Sequence, residues 1–150
     1  MQLNEFDDVP VSGQFDLAFR DICTYPAIDW RLLKSLAFNE SELQPYVDGG
    51  LFRTPIRLYY DFDGLDHNDP SDCIKTVQRI FLAWWEDLSF LPEEDRIKYI
   101  ILAYKLRFSD VRRLVDITRN FEELTNFFSP VLILEVKKII SFAQELENGK

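Results

Sequence analysis

One histidine, two cysteines, five glycines and one methionine in 150 residues exclude several chemistries before any pattern is read. Every triad, zinc or general-base scheme that needs an imidazole must use His67, which lies in an irregular acidic stretch. Cys23 and Cys73 are too few and too distant for a disulfide framework or a metal ribbon, and they read as free buried thiols of a reducing compartment. The glycines build no phosphate-cradling loop, and no serine stands in a nucleophile-elbow context. Apolar runs never approach the roughly 20 residues of a membrane-crossing helix. Met1 to Asp8 is acidic and lacks the basic-then-apolar layout of a secretory signal. The expectation is a cytoplasmic protein with no membrane partner and no cofactor.

What the chain does have is apolar content, 47% overall with 15% aromatic, enough for a folded globule rather than a disordered chain. Its length is that of a single domain, residues 1–150, able to bury a core. The charge is distributed unevenly. Residues 1–72 carry 14 acidic and 5 basic side chains, whereas residues 73–150 carry 12 of each, so the whole excess of −9 lies in the first half. Such a surface repels phosphate backbones and attracts cations, which points to a basic protein partner and away from free nucleic acid.

The most regular stretch is Ser71 to Phe108. Ile74, Val77, Phe81, Trp84 and Leu88 recur at steps of three and four, the spacing of one helical face. Ser71 or Asp72 is placed to cap that helix. Leu91-Pro92 interrupts it, and Glu93, Glu94 and Asp95 load the next first turn with the sign the helix dipole favours. Ile97, Ile100, Ile101, Tyr104 and Phe108 then give a second face. A short link between two such helices predicts an antiparallel hairpin.

Around this hairpin the pattern is mainly α, a single-domain helical bundle of about six helices. Phe15, Phe19 and Ile22 mark a helix within Ser12 to Cys23. Asp29 caps another, with Trp30, Leu33, Leu36 and Ala37 inward. After the hairpin, Ser109 and Asp110 cap a helix carrying Val111, Leu114, Val115 and Ile117. Asn120 and Glu123 form a capping box for a further short helix with Leu124, Phe127 and Phe128 on its apolar side. The last runs from Pro130 to about Asn148 on Leu132, Val136, Ile139, Ala143 and Leu146, with Gly149 at its exit. Residues 51–62 change period: Phe52, Thr54, Ile56, Leu58, Tyr60 and Phe62 alternate with Arg53, Pro55, Arg57, Tyr59 and Asp61. That repeat predicts an edge strand or extended arm, with Val9 to Val11 as the one weak pairing candidate.

Three constellations carry chemistry. The acidic loop Asp61, Asp63, Asp66, Asn68, Asp69 and Asp72 has the oxygen donors that calcium prefers, but Leu65 occupies the fifth calcium-loop position and no glutamate occupies the twelfth. It reads as a solvated, helix-capping loop with no metal. Lys105, Arg107, Arg112, Arg113 and Arg119 could furnish a helix-turn-helix face, although Asp110 and Asp116 dilute it and an ion-paired helix surface is the simpler account. The adjacent pairs Trp84-Trp85 and Tyr59-Tyr60 each point in two directions, so either one member is left nearer the surface or a broad core reaches both sides of the hairpin. Exposed aromatics beside carboxylates are the material of binding hot spots. The expected partner-binding set is therefore Tyr59, Tyr60, Asp61, Asp63, Asp66, Asp69 and Trp85. Catalytic residues are expected to be none, and the protein is read as a non-catalytic interaction module of immunity, antitoxin or phage-inhibitor type. A structural or assembly subunit, a helix-turn-helix regulator and a carboxylate-based enzyme are the alternatives.

Overall fold

The computed structural model describes residues 12–148. Its α-helices are α1 (Asp16–Ile22), α2 (Trp30–Ser41), α3 (Pro70–Asp87), α4 (Glu93–Lys105), α5 (Phe108–Ile117), α6 (Phe121–Thr125) and α7 (Pro130–Glu147). Two 3₁₀ helices, Gly50–Phe52 and Ile56–Phe62, lie between α2 and α3. No strand occurs among the described residues, and the fold is mainly α as the periodicities require. The expected pieces at Val9 to Val11 and Gly149 lie outside the described residues. No helix among the described residues is long and apolar enough to cross a membrane.

The chain separates into two compact units, and the division falls between Gln78 and Arg79, inside α3. In the first unit α2 is the central element. Asp29 caps it, accepting from the Arg31 N–H at 2.8 Å, and every side chain from Leu32 to Phe38 is buried. A helix enclosed on all sides is a core element rather than a surface one. One of those buried residues is charged: Lys34 reaches Asp16 of α1 at 2.6 Å. The far end of α2 is tied to the first 3₁₀ helix, because the Ser41 hydroxyl lies 2.5 Å from the Leu51 carbonyl. The second unit repeats the plan around α4. Tyr99 to Tyr104 are all buried, with α5, α6 and α7 against them. Phe81 and Tyr104 meet edge to face, centroids 6.0 Å apart, where α3 touches α4.

Local boundaries differ from the sequence pattern in four places. The cap of α3 is Asp69, whose Oδ2 accepts from the Asp72 N–H at 2.9 Å, rather than Ser71 or Asp72. Pro70 supplies the first helical position, where its missing N–H is no loss. Phe108 does not extend α4. The backbone leaves helical geometry at Leu106 (φ −119°, ψ −110°), and Phe108 opens α5, its ring stacked on Trp84 at 5.1 Å. The cap position of α5 is accordingly Arg107, not Ser109 or Asp110. Helix α6 ends at Thr125, leaving Phe127 57% exposed rather than on its apolar side.

The largest correction concerns residues 51–62, which form neither an edge strand nor an extended arm. Pro55 holds the extended conformation (φ −64°, ψ 148°), and the chain then winds into the second 3₁₀ helix. Leu58 and Phe62, four residues apart, are its buried side chains, while Ile56 and Tyr60, assigned to the same face by the alternation, are 78% and 95% exposed. With no strand among the described residues to pair with, the backbone satisfies its donors locally; the Leu58 N–H, for example, reaches the Pro55 carbonyl at 2.9 Å.

Candidate functional site

The entry to the first 3₁₀ helix is fixed by two glycines. Gly49 and Gly50 have φ of +83° and +75°. A Cβ on Gly50 would stand 2.0 Å from the His67 carbonyl oxygen and 3.0 Å from the Cys73 Sγ. The acidic loop therefore returns directly onto the glycine turn, an approach that any side chain at position 50 would block. The Cys73 thiol closes the contact by donating to the same His67 carbonyl at 2.8 Å. Burial pushes that thiol up to about 11; the contact with Leu51 opposes this, and the carboxylates of Asp69, Asp72 and Asp66 add to it. It is a protonated donor, not a nucleophile.

The aromatic ring of His67 is held as well. It stacks on Tyr59 with centroids 4.2 Å apart and planes 16° from parallel, and Phe62 meets it edge-on at 5.9 Å. Tyr59 is consequently half-buried and serves as a wall of the loop. Tyr60 is the outward member of the pair, at 95% exposure.

The aspartates organise the loop as well as charging it. Asp66 Oδ1 accepts from the Asn68 N–H, Asp69 Oδ2 from the Asp72 N–H, and Asp72 Oδ2 from the Asp66 N–H, each at 2.9 Å. Asp61, Asp63, Asp66 and Asp69 are all exposed. Among the described residues no group of three or more histidine, cysteine or acidic side chains is arranged to hold a metal ion.

Trp85 does not belong to this surface. It is part of the second unit and only 8% exposed, and the Arg96 guanidinium covers its ring at 4.6 Å. Arg96 is itself anchored to the Leu91 and Ser89 carbonyls at 2.9 and 3.0 Å, so tryptophan and arginine together brace the link between α3 and α4. Its neighbour Trp84 is half-buried, with Phe81 and Phe108 stacked against it.

Four of the five residues of the basic patch are engaged by neighbouring acids. Lys105 pairs with Glu135, Arg112 with Asp116, Arg113 with Asp110 and Arg119 with Glu123. Arg112 also lies 4.6 Å over the Phe90 ring. The ion-paired helix surface is thus present.

The structure brings Tyr59, Tyr60, Asp61, Asp63, Asp66 and Asp69 together on one short helix and the loop that follows it. It adds Ile56, which the alternation had placed inward. The four-residue spacing of Leu58 and Phe62 is compatible with that outcome but also fits the alternation, so no local signal could have freed it. Comparison with protein-family models, with curated proteins and with solved structures gives no match.

Proposed function

We propose that this protein is a non-catalytic interaction module that docks on a basic protein through the acidic, aromatic surface of residues 59–69. The observation that supports the reading is Tyr60, 95% exposed and followed by the exposed carboxylates of Asp61, Asp63, Asp66 and Asp69. An aromatic ring outside the core gains its burial only from a partner, and carboxylates around it select a cationic one. A cytoplasmic immunity, antitoxin or phage-encoded inhibitor acting on a nucleic-acid-handling enzyme is the concrete form of this proposal, because the surface of such an enzyme is basic where it meets phosphate.

The test is affinity capture from the native host, run in parallel with wild type and with an Asp63→Asn, Asp66→Asn, Asp69→Asn variant. Proteins retained by the first and lost by the second should be strongly basic. Identical retained sets, or a depleted set of acidic proteins, would contradict the proposal.

A further inference from the structure

Large apolar side chains scattered singly over a surface are ordinary, but Ile56 and Tyr60 are 78% and 95% exposed within one 3₁₀ helix. At a rise of about 2 Å and a turn of about 120° per residue, their backbones are separated by roughly 8 Å along the axis and about 120° around it, a span that a segment wrapping the helix can cover. We infer that Ile56 and Tyr60 are paired apolar anchors, and that the segment they dock is a cationic amphipathic one, joining lysine or arginine to large apolar side chains. This rests on the reading above and narrows it: positive charge alone does not account for the surface.

Charge and preorganisation together select the occupant. Charge selects its sign. Residues 56–69 hold four aspartates against one arginine, and Arg57 and Asp61 each already have an interaction of their own. Anionic lipid and nucleic acid are repelled by that balance, and a cationic protein segment is drawn in. Preorganisation selects apolar contact. The helix bearing both anchors is seated by Leu58 and Phe62 in the core. Behind it, Tyr59 stacks on His67, whose carbonyl is clamped by Cys73 against Gly50. Anchors presented from a fixed backbone lose little conformational freedom on binding, so their buried area is converted to affinity more completely.

The experiment compares two probes of equal positive charge, oligolysine and an amphipathic leucine–lysine peptide, by calorimetry at low and physiological salt. The leucine–lysine peptide should bind about tenfold tighter, the margin expected when two large side chains are partly desolvated. Ile56→Ser with Tyr60→Ser should abolish that margin, leaving the two peptides with equal affinities for the variant. Both side chains lie outside the core, so the variant should keep its helical circular dichroism, and Tyr60→Phe should retain most of the margin. Equal affinities for the two peptides, or a margin that survives the double substitution, would overturn the anchor inference while leaving the acidic surface standing. Absence of salt-sensitive binding by either peptide would overturn both.

Discussion

At the scale of single residues, the chain depends most on places where a side chain is missing or uncharged. Gly50 and Gly64 share a left-handed backbone, with φ of +75° and +89°, but Gly50 faces the His67 carbonyl and Gly64 has nothing within 4 Å. Gly64→Ala should therefore cost only the conformational penalty, about 1–2 kcal/mol. Gly50→Ala must also displace backbone, and its urea midpoint should fall well below that of the Gly64 variant; equal midpoints would mean that the loop is not seated on the glycine turn. The thiols give a pH signature. Burial, with Asp29 adding to it, pushes Cys23 up to about 12, and Cys73 is held at about 11. Between the ordinary value of 9.0 and these values, the unfolded chain loses thiol protons that the folded chain retains. Stability from this source is complete below that ordinary value and declines as pH rises toward 11 and 12. Urea unfolding from pH 8 upward should show that decline, and a Cys23→Ala, Cys73→Ala variant should lack part of it.

At the scale of elements, each unit is built on one enclosed helix, α2 or α4. Phe81→Ala and Ile101→Ala remove fully buried side chains from α3 and α4, and each should cost about 2–5 kcal/mol in a thermal or denaturant melt. Wild-type melting of both would mean that the buried faces have been misassigned. The pair between Lys34 and Asp16 joins α1 to α2 with the lysine 5% exposed. Asp16→Ala strands that charge and should cost about 2–3 kcal/mol, below the range for a wholly buried pair because Asp16 keeps solvent contact. Helices were legible in the sequence where three-four spacing was long and capped, as in α3, α4 and α7. Residues 51–62 were not, because a two-residue and a four-residue repeat share Leu58 and Phe62. Only the absence of a partner strand decides between them, and that is a tertiary fact. Phe108 was misplaced for a similar reason: its spacing continues α4, but stacking on Trp84 accompanies the start of a new helix. Of the expected binding set, the loop aspartates and Tyr60 are exposed, whereas the sequence left open which of Tyr59 and Tyr60 faces outward. Trp85 was misread because a cation covering a ring from eleven residues away leaves no local trace.

At the scale of the whole molecule, the charge asymmetry is the feature on which the proposed function rests. The unit ending at Gln78 holds 14 of the 26 acidic residues but only 6 of the 17 basic ones. In the second unit, Lys105, Arg112, Arg113 and Arg119 are each paired with an acid. The excess negative charge therefore lies on the first unit, where Ile56 and Tyr60 are exposed on the helix that leads into the exposed aspartates. The second unit, with 12 acidic and 11 basic residues, has exposed apolar side chains of its own, Val131 and Leu134 on α7 among them. These two surfaces make the central claim separable. The most direct measurement is an NMR titration of isotope-labelled protein with the leucine–lysine peptide, following backbone and methyl resonances. The account predicts shifts concentrated at residues 56–69, led by Ile56 and Tyr60 and weakened by salt. Shifts centred on Val131 and Leu134, or spread evenly over the chain, would contradict it.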